Sequence, residues 1–181
     1  MRPSRSSSRR AACGSATVAK PAERSAARLA AVQALYQMDV SGKGVFDVMA
    51  EFEAFWIGRE VEGVEFKQAE RAFFRALLAG AVEQQRVIDP LIDRALSAGW
   101  PLARIEAVLR AILRAGGYEL ACMKDVPARV VISEYVDVAH GFYGGDEPGL
   151  VNGVLDAVAR EVRPGELGER PGRPRPGRGG R

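Results

Sequence analysis

Two arginines one helical turn apart, Arg24 and Arg28, enter the first apolar helical pattern of the chain, and Gln33 and Tyr36 follow along it. Arginine offers paired N–H donors to a phosphate, while Tyr and Gln can stack on or hydrogen-bond to a base. Such a set suits single-stranded RNA, whose bases are exposed. Tyr36 fits a helix core equally well, so both roles stand. Other candidate chemistry is thin. His140 is the only histidine. It has no nucleophile indicated beside it and, with Cys13 and Cys122 at unhelpful spacing, makes no zinc site; it reads as a partly exposed helix residue. The acid pairs Asp89/Asp93 and Asp146/Glu147 could in principle serve acid–base chemistry. Asp89 and Asp146, however, stand where helices are expected to begin and read as N-caps. The glycines of GFYGG and LVNG lack the preceding strand and the lysine of a phosphate-binding loop. The pattern carries no enzyme signature, and no cofactor or metal is expected.

The elements that must position these residues are helices. The periodicity predicts seven, and no convincing strand, between a Ser/Arg/Ala-rich start and a Pro/Gly/Arg-rich end. They run over about 23–40, 45–57, 66–88, a short fourth opened by Asp89 and Pro90, about 102–123, a sixth after Asp125 with Pro127 in its first turn, and a seventh capped by Asp146. Gly99 is expected to stop the fourth, Gly144-Gly145 the sixth and Pro164 the seventh. Gly116-Gly117 inside the fifth helix costs about 1 kcal/mol per residue relative to Ala, which implies close approach of a neighbouring helix. The broad apolar faces predict one compact all-α bundle over residues 23–163. Residues 1–22 and 164–181 have too few large apolar side chains to offset the entropy of ordering and are expected to be disordered.

The charge is lopsided. Residues 1–28 carry seven Arg/Lys and one Glu, residues 161–181 six Arg and three Glu, and residues 29–160 thirteen basic against nineteen acidic side chains. Basic ends suit a polyanion and an acidic body suits a basic partner. Two cysteines in 181 residues suggest no disulfide framework, which fits a reducing cytoplasm. The Arg/Ser-rich start has a transit-peptide flavour, but the high Ala, Gly and Arg usage favours a GC-rich bacterial source. No apolar run reaches the roughly 18 residues of a membrane span.

Four motifs stand in a characteristic order: QALY at Gln33–Tyr36, YEL at Tyr118–Leu120, DVP at Asp125–Pro127 and VNGVLD at Val151–Asp156. With ILR at Ile112–Arg114 and ISE at Ile132–Glu134, they make residues 24–162 resemble the NusB family of bacterial transcription antitermination factors. The resemblance implies an all-helical protein of two packed subdomains without catalytic activity. It implies binding to boxA-type RNA together with small-subunit ribosomal protein ten (NusE), within the transcription elongation complex that makes ribosomal RNA. Carried over by motif, the RNA-binding residues are Arg24, Arg28, Gln33, Tyr36, Leu150 and Asn152, and the partner-binding residues are Glu119, Glu134 and Asp146. The chain departs from the family pattern at Gly149 and Leu150, where a basic residue and Phe are common, and at Leu109, where an acid is common and Glu106 stands nearby. The alternative reading is a helical protein–protein scaffold without specific RNA binding. A domain cut from an RNA methyltransferase would need a Gly-rich nucleotide-binding unit, which this sequence lacks.

Overall fold

A computed structural model describes residues 21–55, 60–61, 64–65, 71–96 and 100–168. The expected disorder of residues 1–20 and 169–181, and the expected roles of Trp56, Ile57, Phe66 and Gly99 in helices 2 to 4, lie outside these residues. Seven α-helices are present among them: α1 Pro21–Ser41, α2 Val45–Phe55, α3 Arg71–Glu83, α4 Gln85–Ala95, α5 Ala107–Cys122, α6 Ala128–Phe142 and α7 Glu147–Val162. A 3-10 turn, Leu102–Arg104, leads into α5. Against the strand-free expectation, a two-residue ribbon pairs β1 (Glu60–Val61) with antiparallel β2 (Val64–Glu65).

Helix α1 starts on Pro21, whose missing N–H costs nothing in a first turn. Its inner face is small: Ala27, Ala30, Ala31 and Ala34 are buried beside Val32 and Leu35. That face lets α1 lie against both α3 and α5. It stops at Gly42, which has a positive φ of 70° and donates its N–H to Met38 at 2.9 Å.

Helices α1–α3 pack together, α4–α7 do likewise, and α5 touches α1, α3, α4, α6 and α7. The glycine pair predicted to mark close approach does so on two sides. A Cβ on Gly116 would stand 2.8 Å from Leu155 Cδ1 of α7 and 3.1 Å from Tyr135 Cδ2 of α6. A Cβ on Gly117 would stand 3.0 Å from Ile88 Cγ2 of α4.

Three boundaries differ from the sequence expectation. The single pattern over 66–88 is interrupted at Gln84, and α4 begins four residues before Asp89. Asp89 and Pro90 are therefore inside a helix, not at its start. Ile88 and Ile92 explain this: both are fully buried one turn apart, on the face that meets Gly117, so continuous helix through them outweighs the bond lost at the exposed Pro90. The fifth pattern begins as helix only at Ala107, where Glu106 accepts a hydrogen bond from the Val108 N–H. Finally, helix already includes Pro21 and Ala22, and residues 164–168 are ordered. Arg163, 6% exposed, donates to the carbonyls of Glu119, Leu120, Met123 and Val126 at 2.6–3.0 Å. It thereby binds the carbonyls at and just beyond the end of α5, where intrahelical donors run out. The turn that follows buries Leu167, and the Glu166 carboxylate accepts the Ala128 N–H at the start of α6.

Candidate functional site

Arg24 and Arg28 share the side of α1 that meets Phe73, each guanidinium lying 5.1 Å from the ring centroid. Their surroundings then diverge. Arg28 is 2% exposed and Glu119, on α5, is fully buried. Arg28 Nε and Nη2 donate to the Glu119 carboxylate at 2.9 and 2.5 Å, and Nη1 donates to Glu134 of α6 at 3.1 Å. The Tyr135 hydroxyl donates to Glu119 at 2.9 Å, and the Ser25 hydroxyl donates to Glu134 at 2.5 Å. Burial works against the Arg28 charge, but the hydrogen bond and charge of Glu119, then Tyr135 and Glu134, more than offset it and raise its pKa. Burial first, and Glu119 next, hold the Tyr135 hydroxyl well above its usual range. This is a closed junction of three helices.

Arg28 and Glu119, expected at the RNA and partner surfaces, are instead covered in this structure, Arg28 to 2% exposure and Glu119 completely. The cause is tertiary: α5 and α6 cover the side of α1 that carries Arg28. Arg24 remains partly exposed, with its guanidinium 3.3 Å from Asp125. Glu134 is half-buried, and one of its oxygens holds both Ser25 and Arg28. Farther along α1, Gln33 is half-buried and Tyr36 is 38% exposed, which leaves the Tyr36 ring accessible.

Leu150 and Asn152 sit two residues apart on α7, which in a helix means nearly opposite sides, and they face different depressions. Leu150 lines a cleft of about 360 Å³ between the start of α5, the end of α6 and the start of α7. Its apolar walls are Trp100, Ile105, Leu109 and Tyr143, and its acids are Glu106, Asp146 and Glu147. Trp100 is 67% exposed. The Tyr143 hydroxyl donates to Glu106; burial, and then this carboxylate, push its pKa far up, so it stays a donor. Asp146 holds the N-cap position of α7 but makes no side-chain capping bond. The capping role read for Asp146 is corrected to that of an exposed acid. Asp89, the other expected cap, instead accepts from Arg114 Nε and Nη2 at 2.9 and 2.8 Å.

Asn152, exposed, lines a groove of about 580 Å³ between α6 and α7 with Arg129, Ser133, Asp156 and Arg160. His140 is exposed in the last turn of α6. Among the described residues no cluster of His, Cys, Asp and Glu could hold a metal ion, and no helix is long and apolar enough to cross a membrane.

The predicted residues thus fall into four places: the closed junction, the open face of α1, the acidic cleft and the groove. Sequence reasoning missed Trp100, Tyr143, Arg129 and Arg160. A signal existed for one of them, since Asn152, Asp156 and Arg160 repeat every fourth residue and share one helix face. Trp100 lay in a break between patterns, with nothing local to show what it would face.

Comparison with known proteins agrees with this architecture. A profile of the NusB family matches residues 25–160. The transcription antitermination protein NusB of Rhodopseudomonas palustris is 63% identical over 148 residues, covering 82% of this chain and 85% of its own length. That of a Bradyrhizobium species is 60% identical over 149 residues, 82% of this chain and 89% of the relative. Among solved structures, T. maritima NusB superposes with a TM-score of 0.64 at 32% identity, over 81% of this chain and 96% of that one. A structure of the antitermination factors NusB and NusE in complex with dsRNA gives 0.65 at 25% identity, over 78% and 99% of the two chains.

Proposed function

The chain belongs to the NusB family, and on that premise we propose that it is a transcription antitermination factor that binds boxA-type single-stranded RNA together with NusE. It acts by binding rather than by catalysis, in the bacterial cytoplasm, on the elongation complex that transcribes ribosomal RNA. The observation that carries this reading is the separation of two unlike exposed surfaces around a closed junction. The cleft joins apolar walls to three carboxylates, a combination that favours a basic protein and repels phosphate. The face of α1 with Gln33 and Tyr36, the partly exposed Arg24 and the Asn152 side of α7 offer donors, a stacking ring and positive charge, which suit RNA. A solved relative in complex with NusE and dsRNA supports the two partners, a protein and an RNA.

This reading assigns the following roles. Gln33, Tyr36 and Asn152 contact RNA, and Arg24 holds a phosphate in exchange for part of its bond to Asp125. Arg28 and Glu119 act from inside, fixing α1 against α5 and α6. Glu134 assists them from the rim of the junction. Leu150, surrounded by acids, goes with Asp146 to the NusE side. The RNA in the solved relative is a duplex, so the test needs three probes. The purified chain is titrated with single-stranded boxA RNA, a scrambled strand and a duplex, each with and without NusE. Tightest binding to boxA in the presence of NusE is expected. Equal binding to boxA and scrambled RNA under both conditions refutes the proposal and leaves a protein-binding scaffold.

A further inference from the structure

Ser133 and Asn152 differ from the other polar side chains of the α6–α7 groove. Both are exposed, both line it, and neither bonds another described residue. The groove's charged groups, by contrast, are already set in place. Asp156 aligns Arg160 at 2.9 and 3.2 Å, Arg160 also donates to the Gly168 carbonyl at 2.7 Å, and Arg129 donates to the Leu167 carbonyl at 3.1 Å. Each guanidinium has further N–H donors beyond these bonds. The groove is also polarised along its length. Only residues 143–146 join α6 to α7, so the two helices run antiparallel. Arg129 in the first turn of α6 and Arg160 in the last turn of α7 therefore share one end. Asn152 lies eight residues from Arg160, roughly 12 Å along α7 at ~1.5 Å per residue. Between them the floor is apolar, with Ile132, Val136 and Leu167. One carboxylate against two guanidiniums leaves the Arg129/Arg160 end positive.

We propose that this groove is a nucleotide pocket: its arginine end takes a phosphate, its apolar floor takes a face of the base, and Asn152 and Ser133 bond the base edge. Guanidinium forks match phosphate oxygens, and an Asn amide offers a base edge one donor side and one acceptor side. The volume of about 580 Å³ falls within the ~300–1,000 Å³ of small-ligand sites. A bare phosphate uses one end only. A run of carboxylates meets Asp156 partway along, whereas a ribose hydroxyl or a base amino group donates to it. The same chemistry comes from a nucleotide of the bound RNA strand or from a free nucleotide. The strand as source rests on the RNA-binding reading above, since Asn152 belongs to that surface; the pocket itself does not.

The test titrates the isotope-labelled full chain with AMP, GMP, CMP and UMP, with the matching nucleosides, with inorganic phosphate and with hexaglutamate. The Asn152 side-chain amide and the Arg160 Nε–H are followed by NMR. At least one monophosphate is expected to shift both signals at a roughly tenfold lower concentration than its nucleoside or phosphate does, the gain from about one or two added hydrogen bonds. Arg129→Gln should weaken the monophosphate and leave the nucleoside as it was. Asn152→Ala, read at Arg160, should weaken the monophosphate and leave phosphate as it was. Both positions are exposed, and thermal unfolding checks that each variant is folded. The inference is overturned if no monophosphate shifts both signals, if phosphate or hexaglutamate does so equally well, or if Asn152→Ala leaves monophosphate binding unchanged. The source is read with boxA RNA from which one base at a time is removed. If the strand supplies the nucleotide, one abasic position weakens the parent about tenfold and adds no loss to Asn152→Ala; if no position does so, the source is a free nucleotide. A chain that binds a monophosphate in this way but no boxA RNA keeps the pocket and loses the RNA reading.

Discussion

The junction around Arg28 and the cleft around Leu150 both draw charge and apolar surface from α5 and α6, yet one is closed and the other open. In the junction, each buried polar atom has a partner, and no buried side-chain N or O lacks one among the described residues. In the cleft, Glu106, Asp146 and Glu147 border apolar walls with Trp100 two-thirds exposed. Charges taken out of water must be matched within the fold, because an unmatched one is expensive. Charges left at a rim cost the fold little and stay available to a partner. The contrast separates residues that organise the surface from residues that use it.

The largest expected effect is in the junction. Glu119→Ala leaves Arg28 only its bond to the half-buried Glu134 and removes the acceptor of Tyr135, so it should lower the unfolding free energy by about 3 kcal/mol, read by urea titration. A loss under about 1 kcal/mol would erase the distinction between the regions, since that is what an exposed pair gives. Arg28→Met/Glu119→Leu, which removes both charges, should recover part of the loss.

Next comes Gly116→Ala. Its methyl group meets Leu155 and Tyr135, and overpacking of that kind costs about 1–3 kcal/mol. Gly149→Ala, whose Cβ would meet nothing within 4 Å, is the control on α7 and should not destabilise. Similar thermal midpoints for the two variants would show that α5 has slack against α6 and α7.

In the cleft the effect should move from stability to binding. Trp100→Ala should weaken NusE binding by about 1–2 kcal/mol if the ring is an anchor, with thermal stability nearly unchanged. Leu150→Ala sharpens the division of roles. If it weakens boxA binding without NusE as much as it weakens NusE binding, Leu150 belongs to the RNA surface after all.

The smallest effect is at Asp146. Because it makes no capping bond, Asp146→Ala should cost well under the ~1 kcal/mol of a lost cap. Asp146→Asn should weaken NusE binding mainly at low salt, as a rim charge does. Equal binding by Asp146→Asn and the parent at low and high salt would remove the acid from the partner site.

The motifs located the family and the helices but not the division of labour within them. Gln33, Tyr36, Asn152 and Asp146 are accessible, so their surface roles stay testable where the sequence put them. Arg28 and Glu119 carry equally strong motif signals and yet are buried. Arg24 and Arg28 are the same residue type, one turn apart on one helix side, and nothing local distinguishes them. What distinguishes them is Glu119, 91 positions from Arg28.

What the sequence alone determined follows from short-range physics. Apolar spacing gave the helices, Pro127 the start of one of them, and Gly116-Gly117 a place of close approach, because backbone propensity and side-chain periodicity act within a few residues. The tertiary structure alone decided which charges are sealed and which are offered. It drew Asp89 to Arg114 rather than to a helix start, and it brought Arg163 onto the end of α5. It also placed Leu150 and Asn152 before different depressions. These outcomes depend on which distant helix covers a given face, and burial makes that pairing decisive: a charge covered by a neighbouring helix must find its partner there, while the same residue left uncovered keeps its charge for another molecule.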